Sequence, residues 1–446
     1  MNYATEKQSH SYKRTIMILS VAVLLVVMNT TMFNVALPTI LRDFNLSASE
    51  GAWIVSGYSI VLAICTITYT RLSDYLPIRG LLITGIGIFG IASILGIFAS
   101  SFAWLLVARL CQAAGAAAIP GLSMVFASRY IPKRTRGQSM SMIASAASFG
   151  FGLGPVVGGW MTNAFDWNYL FIVTLFVLMV IPILFNQLPT EGIRKGQFDV
   201  LGGILTGVTI TSFLLFISTR EWYFIASFLV LAYVLWLRIS RAEIPFIQPK
   251  LIQNRGYRKL LYISFLGFCT HFAILLLMPI MLEQIYGKSP SLVGMIIFPG
   301  AMFSAVAAIY VGRLIDRYGN IRVMVWAAFL LGLSTLIFGF LSPINEYMIM
   351  VGYMFTSFGF SSLSSSSTNE VTQILPKEQA AAGIGMKQLT QFVGSATGAV
   401  LGGILLELND STYTLFDFQF TFFTMAFLMT IAFLFLLSYK KKVASA

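Results

Sequence analysis

Fourteen long apolar runs, separated by short polar connections, take up most of the chain's 446 residues. They lie near 16–38, 52–70, 80–100, 102–128, 138–164, 168–186, 200–218, 222–238, 259–283, 291–312, 322–341, 347–367, 381–406 and 418–439. A helix that crosses a bilayer needs about 20 apolar residues, so fourteen of them use about 280. What remains suffices for loops. Blurred run edges leave twelve or thirteen crossings open as alternatives. Only 10% of the residues are charged and 57% are hydrophobic, against about 25% and 45–50% in soluble domains. A large soluble catalytic domain is excluded, and so is a chain with one anchoring helix. The expected fold class is an all-α polytopic membrane protein.

The net charge of +12 does not mark a nucleic-acid binder, which gathers its basic residues on one solvated face. Here they fall in short clusters between apolar runs. Arg71 and Arg79, Arg129 to Arg136, Arg194 and Lys195, Arg238 to Lys259, Arg313 to Arg322 and Lys440 to Lys442 all lie on one side. By the positive-inside rule that side is cytoplasmic, which places both termini inside and requires an even number of crossings. Trp53, Trp104, Trp167 and Trp222 fall at the opposite ends, where an interfacial aromatic belt is expected. The three cysteines, Cys65, Cys111 and Cys269, sit within apolar runs and form neither a disulfide framework nor a metal-ligand spacing. The first apolar run is too long for a signal-peptide core and is read as a retained span.

An internal repeat organises the chain. TRLSDYLPIR after the second run matches GRLIDRYGNIR after the tenth, and Asp74 on Asp316 gives an offset of 242. Gly150, Gly154, Gly158 and Gly159 match Gly394, Gly398, Gly402 and Gly403 at 244, and Pro38 matches Pro279 at 241. Three unrelated features at nearly one offset predict a six-span bundle in residues 1–186 and another in 259–446. Residues 187–258 then carry two inserted spans. Repeated bundles with a site at their interface are the architecture of secondary transporters.

GFGLGPVVGG, Gly150 to Gly159, is the most specific element. It is similar to the fifth-span antiporter motif of the fourteen-span drug:proton antiporters of the major facilitator superfamily, and the resemblance extends over nearly the whole chain. It implies a major facilitator fold. It also implies a multidrug or tetracycline-type exporter in which Gly150, Gly154, Pro155 and Gly158 act as hinge and proton-tight seal. Glycine at every fourth position clears a helix face for close approach, so a packed interface without coupling is the plainer reading.

GRLIDRYGNIR resembles the family's cytoplasmic gating motif, with Gly312, Asp316, Arg317 and Arg322 in place. In the first copy Thr70 and Pro77 replace the two glycines, while Asp74 and Arg79 remain. The resemblance implies a latch at each acid, with Arg129 and Arg79 as candidate partners of Asp74. Solvated loop ion pairs, worth about 0–1 kcal/mol, are the alternative. ARLCQAAG resembles the family's Arg-x-x-Gln segment at Arg109 and Gln112. The resemblance implies a role in proton transfer. Three residues apart, the two share a helix face. Arg109 either looks into a polar cavity or snorkels. An arginine stays protonated, so it would tune a neighbour rather than carry the proton.

NTTMFNVALP resembles the first-span motif at Thr31, Asn34, Ala36 and Pro38, but Asn29 stands where the family has an acid. Asn29 cannot titrate, which disfavours dicationic substrates. The other proton-coupling candidates are His271, a mid-span histidine at an offset of 242 from Asn29, and Glu283 near the outer mouth of the same run. A satisfied core histidine and a solvated interfacial acid are the plain alternatives. Lys387, Gln391 and Ser395 recur every four residues and form either a polar track or, for Lys387, a snorkelling cation. Ser361 to Ser367 is read as the wet inner end of its run. Phe33, Tyr58, Gln112 and Gln391 join Asn29 and Asn34 as expected cavity residues.

No Walker A, HExxH or nucleophile-elbow pattern occurs, and Glu407 with Asp410, or Glu221 beside Arg220, makes no convincing acid–base pair. An enzyme is not expected, nor a cofactor or metal. The sequence reading is a proton-coupled exporter of small amphipathic drugs, monomeric in a bacterial cytoplasmic membrane. Its partners are protons and lipid, and not nucleic acid. An antiporter of the same fold for a physiological solute or monovalent cation is the alternative.

Overall fold

A computed structural model describes residues 3–45, 48–189, 191–193, 199–242, 245–247, 249–288, 290–406 and 414–444. Among the described residues every regular element is helical. The first half holds α1 (Tyr3–Asp43), α2 (Ala48–Leu72), α3 (Ile78–Ile97), α4 (Phe102–Ala116), α5 (Ala118–Tyr130), α6 (Lys133–Ala164), α7 (Leu170–Leu175) and α8 (Val180–Gln187). Next come α9 (Val200–Thr219), α10 (Trp222–Arg241) and the short α11 (Pro249–Gln253). The rest is α12 (Arg255–Gln284), α13 (Pro290–Tyr318), α14 (Asn320–Phe340), α15 (Tyr347–Ile374), α16 (Lys377–Leu406) and α17 (Leu415–Ala444).

Every apolar run of the sequence falls on helical structure, with boundaries that differ for identifiable reasons. Among the described residues nine helical segments are long and apolar enough to cross a membrane, from Tyr12–Phe33 to Leu415–Lys440. α15 and α16 are diluted by serines and glycines. The first helix extends well beyond 16–38 because backbone hydrogen bonding continues through its polar start. The fourth run breaks at Ala117, since Pro120 has no N–H to offer Ala116 and the chain restarts as α5. The sixth run, expected as one helix, is pieced from α7, α8 and two 3₁₀ turns at Trp167–Tyr169 and Phe176–Met179. Pro155 and Pro299, by contrast, sit inside continuous helices.

The packing repeats itself. α1 lies along α6, and α12 lies along α16. Between these pairs α6 crosses α13 and α2 crosses α16, the arrangement a two-fold relation between the repeat segments demands. α9 rests on both α2 and α16, and α10 packs on α9 with an outer surface of exposed Trp222, Tyr233 and Trp236. Asp199 ties this pair together: it caps Gly202 N at 2.9 Å, accepts from Arg238 Nη2 at 2.9 Å and from Phe246 N at 3.2 Å.

Two expectations are corrected here. Trp167 is not a belt residue: it is buried and donates to Asp43 Oδ2 at 2.8 Å. Ser361 to Ser367 is not a wet helix end either, because these serines are buried. Ser365 and Ser366 bond back to the carbonyls of Ser361 and Ser362, and Ser361 Oγ meets Ser145 Oγ of α6 at 2.6 Å.

Candidate functional site

A polar cluster sealed among α1, α2, α3, α4 and α7 gathers five of the expected residues. Arg109 is 1% exposed, with its guanidinium carbon 4.0 Å from the Phe33 ring centre and 4.1 Å from that of Tyr58. Arg109 Nη1 donates to Gln112 Oε1 at 2.6 Å and to Asn29 Oδ1 at 3.2 Å. Asn29 Nδ2 donates in turn to Gln112 Oε1 at 3.1 Å and Tyr58 Oη at 3.3 Å. Gln112 is anchored behind by Ser93 Oγ at 2.7 Å and Thr174 Oγ1 at 3.3 Å. Helical spacing put Arg109 and Gln112 on one face, but the structure closes that face with aromatic rings instead of opening it to water. Snorkelling is ruled out in this arrangement. Ser93 and Thr174 were missed, as lone hydroxyls in apolar runs carry no signal.

The second half holds two more enclosed bases. His271 stacks on Phe360 with ring centres 3.7 Å apart and planes 9° from parallel, and Phe151 of α6 meets it edge-on at 6.4 Å. Neither ring nitrogen has a hydrogen-bond partner, so it is not the satisfied core histidine. Lys387 does not snorkel. It is fully buried, donating to Thr368 Oγ1 at 2.7 Å and Ser364 O at 3.4 Å. Gln391 is buried with its Nε2 unpartnered. Glu370, not singled out from the sequence, accepts from Tyr439 Oη at 2.7 Å and Asn320 Nδ2 at 2.9 Å.

The glycine series has a steric cause. A Cβ at Gly150 would stand 2.7 Å from Leu24 O, at Gly154 2.8 Å from Met28 O, and at Gly158 2.7 Å from Met32 O. On α16 the equivalents Gly394 and Gly398 face Phe265 O and Cys269 O in the same way. The facing residues Leu24, Met28 and Phe265, Cys269 stand 241 apart, the offset already given by the two prolines. α6 and α16 therefore lie backbone to backbone on α1 and α12, with no room for a side chain between.

At the predicted cytoplasmic ends, Asp74 pairs with Arg71 Nη1 at 2.9 Å and Arg129 Nη2 at 3.2 Å. Arg129 also donates to Ser73 O at 2.7 Å. Arg79 is not a partner of Asp74: its guanidinium lies 3.8 Å from the centre of the Phe185 ring. Asp316 turns instead to the backbone amides of Gly137 and Gln138 on α6, and partial desolvation of its carboxylate at that contact pushes its pKa up to about 6. Arg317 lies over Tyr318, and both Arg317 and Arg322 are exposed and outside this contact. A Cβ at Gly312 would stand 2.8 Å from both Gln138 Cβ and Ser141 Oγ, which explains the glycine where α13 crosses α6.

The departures of the first copy are compensated. Thr70 occupies the place of Gly312, and the space it needs is left by Gly385 of α16 and Gly121 of α5. Pro77 replaces Gly319, whose φ of +82° starts α14. The α3 amide of Ile78 is capped from elsewhere, by Glu191 Oε2 at 2.6 Å. Glu191 also lies 3.7 Å from Arg129 and accepts from Tyr130.

Comparison with known proteins settles the family. The Major Facilitator Superfamily profile matches residues 19–303 and, in a second match, 260–446. The chain belongs to the major facilitator superfamily. Among its relatives is an uncharacterised MFS-type transporter, YcnB of Bacillus subtilis, 26% identical and covering 90% of this chain and 88% of the relative. Multidrug resistance protein Stp of Mycobacterium tuberculosis is also 26% identical, over 89% and 76%. Riboflavin transporter RibZ of Clostridioides difficile is 24% identical, over 82% and 81%. The human organic anion transporter MFSD10 shares the fold at a TM-score of 0.76 and 17% identity, covering 95% of this chain and 99% of its own.

This member of the superfamily is a multi-pass membrane transporter of small molecules, not an enzyme. Asn29, Phe33, Tyr58, Arg109 and Gln112 form one cluster, while His271 and Gln391 lie apart from it on α12 and α16. The side chains of Asn34 and Glu283 lie outside the described residues, as do those of Trp53 and Pro38.

Proposed function

We propose that the chain exports amphipathic drugs in exchange for protons by alternating access. Two six-helix bundles, residues 1–186 and 259–446, rock about the α6–α13 and α2–α16 contacts, with the pair in 187–258 inserted between them. The reading has fourteen crossings, both termini cytoplasmic, and a monomer in a bacterial cytoplasmic membrane. The observation that carries it is the backbone-tight packing of α6 on α1 at Gly150, Gly154 and Gly158, repeated at Gly394 and Gly398 of α16. A helix pair without intervening side chains pivots without opening a water-filled gap, which a proton-tight exchanger needs.

Within this reading Asp74, Arg129 and Asp316 hold the cytoplasmic side shut. Arg109 acts through Asn29, Tyr58 and Gln112. His271, enclosed by rings here and able to gain a proton once α6 moves away, carries coupling together with Glu283. The similarity to Stp supports a drug substrate.

The test uses inside-out vesicles energised to an acidic lumen, with a pH-sensitive dye inside. Proton exit on adding a fluoroquinolone, ethidium-type dye or tetracycline, abolished in Gly154→Trp, is the expected result. Silence across the panel removes the drug reading. A response to Na⁺ or K⁺ alone, or to riboflavin, which the similarity to RibZ adds to the panel, would establish the second reading, an antiporter for a cation or physiological solute.

A further inference from the structure

Two buried cations of this transporter have no acid in contact with them among the described residues. Arg109 and Lys387 are both fully enclosed, one in each repeat, and their hydrogen-bond partners among the described residues are all neutral. Arg109 bonds to two carboxamide oxygens and stacks on two rings, while its Nε has no acceptor. Lys387 has one hydroxyl and one distant carbonyl for its three N–H groups. Burying a cation is costly unless an anion accompanies it, and a neutral shell recovers only part of the lost hydration.

No acid of the chain answers this need among the described residues. Among the described residues Glu370 and Asp417 are buried, and the Asp199 carboxylate, also enclosed, is already paired with Arg238. Glu370 is held by Asn320 and Tyr439, and Asp417 by Thr414 N at 2.9 Å and Thr414 Oγ1 at 2.6 Å. Asp74 is taken by Arg71 and Arg129. His271, the third enclosed base, adds no negative charge. Position 29, beside Arg109, is an asparagine that offers its Oδ1 without a charge.

We infer that the missing negative charge comes with the substrate, and that this transporter selects organic anions, carboxylates on an aromatic or other apolar body. The Phe33–Arg109–Tyr58 stack already displays the preferred surroundings of such a molecule: a guanidinium for bidentate contact with a carboxylate and two rings for its apolar part. Lys387 provides a second, point-like cation with a spare N–H. The inference names the substrate class of the transport reading above and rests on that reading for its biological sense, but binding itself needs no proton gradient.

The experiment uses the full-length protein in lipid nanodiscs and three probes with one apolar body: pyrenebutyrate, pyrenebutanol and pyrenebutyl-trimethylammonium. Tryptophan-to-pyrene energy transfer reports binding, with empty nanodiscs subtracted. The anion binds tighter than the other two by about tenfold or more, as a desolvated charge contact requires. That preference falls in Arg109→Gln and in Lys387→Met and is kept in Arg109→Lys. Lys387→Met keeps the test open if Arg109→Gln fails to fold. Equal or absent binding of all three probes, tighter binding of the cation, or an anion preference that survives both substitutions overturns the inference. A protein that prefers the anion but moves no protons in vesicles loses the antiport reading and keeps this one.

Discussion

Two glycines of equivalent helices separate steric necessity from mere helix packing. In Gly154→Ala the new Cβ overlaps Thr31 Oγ1 and stands 2.8 Å from Met28 O. Thr31 has other rotamers, but Met28 O is backbone and yields only if α1 moves off α6. In Gly402→Ala the nearest atoms are Ala273 Cα and Cβ at 3.6 Å, an ordinary contact. Both changes gain the same helix propensity, about 1 kcal/mol, so that gain cancels between them. Overpacking a tight contact costs about 1–3 kcal/mol, and this is the expected difference in stability between the two variants. SDS titration in mixed micelles, followed by circular dichroism, measures it. Gly154→Ala unfolds at lower SDS than wild type, and Gly402→Ala at equal or higher SDS. Equal midpoints, or the reverse order, would falsify the argument that backbone contact dictates the glycine.

Further predictions concern the polar groups. Arg129→Gln strips Asp74, Ser73 and Glu191 of their shared partner and should abolish transport, whereas Arg79→Gln, which gives up a ring contact with Phe185, should retain most of it in the same vesicle assay. Asp316 has a pKa raised to about 6, so the closed contact holds more protons than the released one between its ordinary value and 6. The stability of that contact is then full at the acid end of the window and is lost as pH rises through about 6. Spin-label distances between α13 and α6 should show this trend in the wild type, and Asp316→Asn should flatten it; an unchanged slope counts against the contact. Tyr439→Phe leaves Glu370 Oε1 without its donor and should cost about 1–3 kcal/mol in the SDS titration. Tyr262→Phe, an exposed control at 57%, should cost nothing measurable.

By itself the sequence determined the membrane class, the helical character of every apolar run and the internal repeat. These are properties of composition and period, which local chemistry expresses wherever the chain goes. Once one copy's contact is known, the offsets of 241 and 244 carry it to the other, because two similar segments bury the same faces. Arg109 and Gln112 were legible as partners for the same reason, lying three residues apart on one helix.

Tertiary structure alone decided what those residues meet. Residues 80 positions apart in the chain, Asn29 and Arg109, share a hydrogen bond that no spacing announces. Arg79 looked like a latch residue until packing placed Phe185 beneath it, and Glu191, which no motif singled out, caps α3. The serine run was read as wet because six hydroxyls near a helix end suggest water. In the fold Ser362, Ser365, Ser366 and Ser367 bond within their own helix and Ser361 bonds across to α6, and the interior accepts them dry. Thr70 and Pro77 seemed to erode the first gating copy, yet Gly385 and Glu191, more than 110 residues away from each, restore its fit. Sequence period fixes which face of a helix is special; only the folded chain supplies the opposite surface, and with it the charge, size and hydrogen bonds that give the face its role.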